Sequence, residues 1–287
     1  MKFLILGSTG MAGHLITTYL REGGHEVYGL SRRKISPHVD IILDVTHFEE
    51  LAKIIRGGNF DCVVNCVGVL NRAAEDNKTL TIRLNSELPH FLAETTADLQ
   101  TKIVQLSTDC VFSGSRGGYV ENDFPNGKTF YDRTKALGEL IDDKNITFRN
   151  SIIGADLERD GIGLLNWFLQ QKGAVNGYTK SIWSGVTTLF LAQMIEIAAI
   201  ENIHGLYQLT NNTPITKHEL LKLFAKVFGK EIKIAPADGV AANKTLINTK
   251  NFGVAPSYEQ MLRDLRDWMI RHKNFYPHYR EIHDEQT

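Results

Sequence analysis

Short apolar runs alternate with amphipathic stretches through the first half of the chain. The runs are bounded by glycine or polar residues, which is typical of buried strands. The stretches between them repeat apolar residues at helical spacing, and several end at glycine. This pattern predicts strands at 2–7, 25–31, 39–45, 60–68, 101–108 and 145–151, and helices at 11–23, at 46–58 with Thr46 as cap, over much of 79–98, and at 130–142.

The second half is less regular. Helical patterns occur near 162–172, 188–200, 216–229 and 257–272, and the segment GLYQLTN at 205–211 predicts a strand. In the third of these helices Thr216 stands at the cap, with Glu219 at capping-box distance.

Three glycines follow the first predicted strand directly, in the stretch GSTGMAG at residues 7–13. A tight turn, close approach of the backbone to a pyrophosphate and close helix–strand packing each favour a residue without a Cβ. Free N–H groups at the start of the next helix would face the anion. We therefore predict a dinucleotide site here rather than a ligand-free turn. The residues assigned to it are Gly7, Ser8, Thr9, Gly10, Met11, Ala12 and Gly13.

Strands alternating with helices behind such a turn predict a parallel sheet covered on both faces. The fold class expected is α/β, a Rossmann-type doubly wound parallel sheet with a smaller C-terminal α/β substrate-binding domain. We place the NAD(P)-binding domain at residues 1–152, with segments near 186–210 returning to it, and the substrate domain mainly at 153–287.

The second strand ends in a basic stretch, Ser31-Arg32-Arg33-Lys34, where an NAD site usually has a carboxylate. An arginine fork can hold a 2′-phosphate, so we predict NADPH or NADP as cofactor, with NAD as the open alternative. A solvated basic loop is the other interpretation. Asp44 and Val45 are assigned to the cofactor. Asp44 is expected at the adenine, or else as a charge at the next helix start beside Thr46.

Tyr131 and Lys135 stand four residues apart, on one face of a predicted helix. A nearby ammonium lowers a phenol pKa, so the pair can exchange a proton with a carbonyl oxygen. Ser107 and Thr108 end the fifth strand, where ligands meet a parallel sheet. One of these hydroxyls is expected to orient the substrate carbonyl, and the alternative for both is a turn or helix cap.

The motifs GSTGMAG, VVNCVG, STDCVFSG, YVENDFP and YDRTKALGE together resemble the extended short-chain dehydrogenase/reductase superfamily. Within it, the chain is most similar to the dTDP-4-dehydrorhamnose reductase family. The resemblance implies a catalytic triad of Thr108, Tyr131 and Lys135, with Ser107 near. Lys135 would also contact the nicotinamide ribose. It further implies that the segment after Asn65, which is Cys66, Val67 and Gly68, lies beside the cofactor. Asn85 matches a helix asparagine that helps to order the site.

The chain departs from the family pattern at several positions. Cys110 follows the STD motif, and Asp132 replaces a glycine beside the tyrosine. Asn150 and Ser151 stand where the family often has a Thr-Ser-Trp run that touches the sugar. We therefore do not assume that this chain has the sugar specificity of the rhamnose enzyme. Trp183 either stacks on the substrate or belongs to the core. The residues assigned to the substrate are Val69, Asp109, Asn150, Ser151 and Trp183.

Bulk properties restrict the partners. The net charge is −1, which does not favour nucleic acid, and no apolar run approaches the roughly 18 residues of a membrane helix. The apolar stretch near residue 4 is too short for a signal peptide. Three cysteines, Cys62, Cys66 and Cys110, fit a reducing cytoplasm, and the first two are expected to be buried. No histidine or cysteine spacing suggests a metal.

We expect an NADPH-dependent reductase of a nucleotide-linked keto-sugar. A sugar-nucleotide epimerase or dehydratase of the same superfamily is the first alternative. Dehydratases usually have a glutamate after the aspartate, and no glutamate follows Asp109, which disfavours dehydration. A non-catalytic NADP-binding regulator is the second. The expected partner is a nucleotide-sugar substrate, and a homodimer is left open.

Overall fold

A computed structural model describes residues 1–33 and 36–279. Its strands are β1 (Lys2–Leu6), β2 (Glu26–Ser31), β3 (Ile41–Ile42), β4 (Cys62–Asn65), β5 (Lys102–Thr108), β6 (Ile146–Asn150), β7 (Ile152–Ile153), β8 (Ala174–Tyr178), β9 (Ser181–Trp183), β10 (Val186–Thr187), β11 (Gly205–Gln208), β12 (Ile215–Thr216), β13 (Lys233–Ala237) and β14 (Ala242–Asn243).

Helices separate most of these strands. They are α1 (Met11–Glu22), α2 (Phe48–Gly58), α3 (Asn71–Asp76), α4 (Lys78–Ile82), α5 (Leu88–Thr95), α6 (Phe130–Leu137), α7 (Leu164–Gln170), α8 (Thr188–Ile200), α9 (Lys217–Val227) and α10 (Tyr258–Arg271), with a π-helical turn at Arg83–Glu87 and 3₁₀ turns at Asp109–Val111 and Lys273–Phe275.

The main sheet of the described residues has the strand order β11-β6-β5-β4-β1-β2-β3, and every neighbouring pair is parallel. The predicted α/β fold with a doubly wound parallel sheet is confirmed. The order reverses beside β1, so the loops after β1 and β4 diverge and leave a crevice at the carboxyl ends of the strands. β11 comes from the second half of the chain and adds to the edge beside β6.

Side chains on β1 alternate between two hydrophobic clusters, as the period of a strand requires. Phe3 and Ile5 join a large cluster that includes residues of α1, α8 and α10, while Leu4 and Leu6 join a smaller one with residues of α2 and α5. The sheet is therefore covered on both faces. Cys62 lies fully buried in the large cluster, as predicted.

The third strand is shorter than predicted. The pattern predicted residues 39–45, but β3 holds only two residues. Asp40 accepts the N–H of Gly29 at 2.7 Å, and Asp44 accepts both the N–H and the hydroxyl of Thr46, at 3.0 and 2.8 Å. These two carboxylates turn the chain away from the sheet on either side of the strand. Thr46 is consequently not the helix cap, because α2 begins two residues later without a side-chain cap.

The long helix predicted over 79–98 is divided. It consists of α4, the π-helical turn and α5, and it ends at Thr95. The helix predicted to reach 142 ends at Leu137, with Gly138 at its C-cap, where a Cβ would lie 1.9 Å from the carbonyl oxygen of Asn85. The end of α6 thus packs directly on the π-helical turn.

The second half builds small sheets around its helices, in the orders β12-β9-β14, β13-β8 and β10-β7. The capping box at the start of α9 is confirmed: Thr216 accepts the N–H of Glu219 at 3.1 Å, and Glu219 accepts the N–H of Thr216 at 3.1 Å. In the part of the chain that the structure describes, no helix has both the length and the apolar character that crossing a membrane requires.

A buried histidine connects α1 to the end of the described chain. His14 Nδ1 lies 2.9 Å from the carbonyl oxygen of Gly10, and Nε2 lies 2.8 Å from the hydroxyl of Tyr276. Because a carbonyl only accepts, Nδ1 carries the proton and Nε2 accepts from the tyrosine. Burial lowers the pKa of His14 to about 3, and burial together with Arg21 and His272 lowers that of His38 to about 4.

These pKa values predict loss of stability in mild acid. Above pH 6.5 both histidines are neutral in the folded and the unfolded chain. Below that pH the unfolded chain binds protons that the folded chain does not, so each histidine lowers the free energy of unfolding by about 1.4 kcal/mol per pH unit, down towards its folded pKa. Urea denaturation between pH 7 and 5 measures this slope. His14→Gln should reduce the slope, whereas the exposed control His204→Gln should not; an equal slope in both variants contradicts the assignment.

Candidate functional site

The glycine turn after β1 has the features of an anion-binding turn. Gly7 adopts a φ of +78°, and a Cβ on Gly13 would lie 2.1 Å from the carbonyl oxygen of Gly7. α1 begins after Gly10 with no side-chain cap and no acidic residue in its first turn. Its first N–H groups, from Met11 to Gly13, therefore remain available to a ligand.

The basic stretch lies at the edge of this turn. The hydroxyls of Thr9 and Ser31 are 3.1 Å apart, which joins the turn to the end of β2, and Arg32 and Arg33 are exposed beyond it. Lys34, the third predicted cation, lies outside the described residues.

Three other residues assigned to the cofactor do not present their side chains to the crevice. Asp44 caps the turn before α2, which matches the alternative interpretation of that residue. Ser8 is fully buried and Val45 is packed in the smaller cluster, so neither presents a side chain to the crevice.

Asn85, in the π-helical turn, connects the segment after β4 to the helix that carries the predicted catalytic pair. Its Oδ1 accepts the N–H of Val69 at 2.8 Å, while its Nδ2 donates to the carbonyl of Val69 at 3.0 Å and to the hydroxyl of Thr134 at 3.3 Å. A Cβ on Gly7 would lie 3.1 Å from Val67, so the same segment also borders the glycine turn. The structure thus brings residues 66–69 to the crevice, and the side-chain amide of Asn85 holds this segment through Val69.

Thr108, Tyr131 and Lys135 come together at the carboxyl end of β5. The Thr108 hydroxyl accepts the N–H of Cys110 at 3.1 Å and donates to Asp109 Oδ1 at 3.1 Å, and Thr108 is near enough to Tyr131 to influence its phenol. Lys135 is buried and donates from Nζ to the carbonyl of Leu106 at 2.7 Å. This contact fixes α6 against β5.

The protonation of the tyrosine differs from the expectation. Burial raises the pKa of Tyr131, and the hydrogen bond with Thr108 only partly opposes this. The predicted lowering is wrong because desolvation of the phenolate outweighs nearby donors. Burial also lowers the pKa of Lys135 to about 8. At neutral pH the tyrosine is therefore a phenol, which is the form that donates a proton.

Ser107 is not brought into this group. Adjacent residues of a strand face opposite sides, and Ser107 donates to Glu139 Oε1 at 2.6 Å on the far side of β5. Glu139 is itself paired with Arg149, through Nε and Nη2 at 2.7 Å each, and both side chains are about 97–98% buried. The catalytic role expected of Ser107 does not fit this position, which supports β5 from behind.

Asp132, the residue that replaces a family glycine, has a local structural role. Its carboxylate accepts the N–H groups of Lys128 and Thr129, and Thr129 accepts the N–H of Asp132 in return. The spacing of Thr129 and Asp132 is that of a capping box, which the sequence could have revealed.

The residues assigned to the substrate occupy different layers. Asn150 is paired in register with Thr108, and its side chain is buried with Nδ2 lacking a hydrogen-bond partner. Trp183 donates from Nε1 to Ser151 Oγ at 2.7 Å and is 5% exposed within the large cluster. Trp183 therefore belongs mainly to the core, and one end of its ring faces Lys217, at 5.3 Å from Nζ to the ring centroid.

The sequence motifs did not indicate that two lysines lie near Asp109. Lys217 and Lys244 both act by their charge on Asp109, whose pKa burial raises. Only tertiary contacts bring them there, since each stands more than 100 positions from Asp109 in the sequence. Among residues 1–33 and 36–279, no three His, Cys, Asp or Glu side chains are grouped as metal ligands.

Comparison with known proteins agrees with this architecture. The chain is 31% identical over 144 residues to a probable low-salt glycan biosynthesis reductase from Haloferax volcanii, covering 48% of each chain. It is 24% identical over 281 residues to a dTDP-4-keto-6-deoxy-D-glucose reductase from Streptomyces niveus, covering 93% of each. The alignment thus spans about half of the first relative's own length.

Solved structures share the fold. A dTDP-4-dehydrorhamnose reductase from Bacillus anthracis, solved in complex with NADP, superposes with a TM-score of 0.79 at 20% identity, covering 92% of this chain and 99% of that one. The family described as RmlD substrate binding domain matches residues 1–251. The match covers most of the chain, and the chain therefore belongs to the RmlD substrate binding domain family.

Proposed function

We propose that this protein is an NADPH-dependent reductase of a nucleotide-linked 4-keto-6-deoxy sugar. The observation that carries the proposal is the group of Thr108, Tyr131 and Lys135 at the same sheet edge as the uncapped start of α1. Two similar proteins support it: the Streptomyces niveus relative is named as a dTDP-4-keto-6-deoxy-D-glucose reductase, and the Bacillus anthracis structure as a dTDP-4-dehydrorhamnose reductase.

The residues around the crevice fit a dinucleotide. A Cβ at Gly13 would collide with Gly7, so the turn stays narrow, and the first N–H groups of α1 would hold the pyrophosphate. Arg32 and Arg33 would hold a 2′-phosphate. Residues 66–68 and Lys135 would border the nicotinamide and its ribose. NAD remains the alternative, and the NADP in the Bacillus anthracis structure favours the first choice.

The chemistry of the chain's own residues follows from their geometry. The reduced nicotinamide, when bound, supplies the hydride to the ketone carbon. Tyr131 gives its phenolic proton to the ketone oxygen, so that a hydroxyl forms. Thr108, anchored by the N–H of Cys110, turns its proton from Asp109 towards the same oxygen. The Lys135 ammonium stabilises the phenolate left on Tyr131.

We propose that the substrate is contacted by Val69, Asp109, Asn150 and Ser151, and that Trp183 packs beneath these residues. The proposed division of labour assigns the cofactor to residues 1–152 and the sugar mainly to 153–287. We place the protein in the cytoplasm, where the free thiols of its three cysteines are stable. Whether it acts as a homodimer is left to experiment.

A cofactor assay tests the proposal. The protein is incubated with NADPH and a panel of dTDP- and UDP-linked 4-keto-6-deoxy sugars, and the absorbance at about 340 nm is followed. We expect stoichiometric oxidation of NADPH. Sugar turnover without net oxidation would indicate an epimerase, and cofactor binding without any turnover would indicate a regulator. Either result contradicts the proposal.

Cofactor preference gives a second prediction. Replacing Arg32 and Arg33 together by Gln should weaken NADPH binding by roughly tenfold or more, since a charge-assisted hydrogen bond contributes about 1.5–3 kcal/mol. NADH binding should change little, because NADH lacks the 2′-phosphate. Equal losses for the two cofactors, measured by fluorescence titration, would show that these side chains do not read the phosphate.

A further inference from the structure

Lys217 is a partly buried cation whose hydrogen-bonding capacity is unused. It is the first residue of α9, and its Nζ lies over the face of Trp183. Among the described residues it has no hydrogen bond and no carboxylate within 4 Å. An ammonium offers three donors, and burying them without acceptors costs free energy. Burial lowers the pKa of Lys217 accordingly.

The position of Lys217 is held firmly. Trp183 beneath it is fixed by the hydrogen bond to Ser151 and by the ring of Tyr258 at 5.5 Å between centroids. The helix that carries Lys217 is fixed by its capping box with Thr216 and Glu219. The Lys217 side chain therefore starts from a fixed helix end, and its Nζ lies 5.3 Å from the centroid of a fixed ring.

A second cation approaches from another segment. Lys244 follows β14, with its Nζ 3.8 Å from Asp132 Oδ1 and its side chain 24% exposed. Both lysines act on Asp109 and on Cys110, the two residues that follow Thr108. Two cations from the second half thus lie near the residues that follow Thr108. Asp132 accepts both of its backbone N–H groups on Oδ2 and faces Lys244 with Oδ1, which at 3.8 Å is an ion pair too long for a hydrogen bond.

We propose that Lys217 and Lys244 form an anion-binding wall on the substrate side of the crevice and bind the diphosphate of the nucleotide-linked sugar. This inference rests on the proposed function. The diphosphate would supply hydrogen-bond acceptors to the Lys217 ammonium, whose Nζ lies 5.3 Å from the ring centroid of Trp183. The phosphates of the cofactor are the other anions that two lysines could bind, but we expect those phosphates at the glycine turn.

Direct binding measurements test the wall without requiring turnover. Calorimetry gives the dissociation constants of dTDP, UDP and inorganic pyrophosphate, and separately that of NADP⁺. Lys217→Met keeps the apolar stem over Trp183 and removes the charge. We expect it to weaken dTDP or UDP binding by roughly tenfold or more, and Lys244→Met to weaken it by a smaller factor. NADP⁺ binding should change less than twofold in both variants.

Two further variants serve as controls. Lys180→Met removes an exposed lysine of the same half that pairs with Asp238 at 2.6 Å, and it should leave nucleoside diphosphate binding unchanged. Lys217→Arg retains the charge and should keep binding within a few fold of the wild type. If Lys217→Met also loses NADP⁺ binding, Lys217→Arg decides: recovery of dTDP binding supports the wall, and its absence overturns it.

The outcomes separate this inference from the proposed function. Wild-type binding of dTDP or UDP by Lys217→Met overturns the wall, even if the keto-sugar assay succeeds. The wall is also overturned if Lys217→Met weakens the binding of NADP⁺ alone and leaves the binding of dTDP and UDP unchanged. If dTDP or UDP binding depends on Lys217 but no keto-sugar consumes NADPH, the wall stands and the reductase proposal fails.

Discussion

Tyr131→Phe is expected to slow keto-sugar reduction by roughly 10²–10⁴-fold, the usual contribution of general acid catalysis. The substitution removes only the phenolic hydroxyl. The ring stays in its place on α6, and the contacts of Lys135 with β5 remain. The reacting oxygen then receives its proton from water or not at all.

The pKa shifts specify how this loss should be read. Because burial raises the pKa of Tyr131, the wild-type phenol stays protonated across neutral pH, and reduction should not fall until a different group titrates. Lys135, whose pKa is about 8, is that group. The rate of reduction should decline as pH rises through about 8, since the ammonium that we propose to stabilise the phenolate is lost there.

Binding of NADPH provides the control for this variant. Fluorescence titration should give the same dissociation constant for Tyr131→Phe and wild type within about twofold, while kcat falls. Near-normal kcat in Tyr131→Phe, on a substrate that the wild type reduces, would mean that another group donates the proton. A large loss of NADPH affinity would instead indicate that the substitution disturbs the crevice.

The parts of the site that local spacing determines could be predicted from the sequence. Gly7, Gly10 and Gly13 specify a turn between a strand and a helix, because their meaning depends on neighbours a few residues away. Tyr131 and Lys135 share a helix face through their spacing of four. Thr108 ends a strand whose apolar pattern is unambiguous. The structure confirms the fold and brings these elements to one edge of the sheet.

Features that depend on distant contacts could not be predicted in this way. Ser107 and Thr108 look equivalent in the sequence, and only the buried Glu139 distinguishes the supporting hydroxyl from the one at the crevice. The residue that caps the end of α6 packs against the carbonyl of Asn85, more than 50 residues earlier. Lys217 reaches the site through the packing of α9 on Trp183, which no local pattern reports.

The same supporting layer gives the largest stability effect expected. Arg149 is 2% exposed and has two hydrogen bonds to Glu139 and one to the carbonyl of Glu121 at 3.1 Å. Through Glu139 it holds the hydroxyl of Ser107, and its guanidinium lies 5.1 Å from the ring centroid of Phe112. It thus joins β5, β6, α6 and the loop after β5 behind the predicted catalytic group.

Arg149→Met should lower the free energy of unfolding by about 3–5 kcal/mol, because it leaves the carboxylate of Glu139 buried without a counter-charge. Urea denaturation at pH 7 measures the change. Removing both charges with Arg149→Met and Glu139→Leu should recover much of the loss, since an apolar pair needs no charge compensation. Lys226→Met, which breaks the more exposed pair with Glu259, should cost less than about 1 kcal/mol. If the double variant is no more stable than Arg149→Met, the loss comes from the arginine's packing on Phe112 and its bond to Glu121 rather than from the unpaired carboxylate.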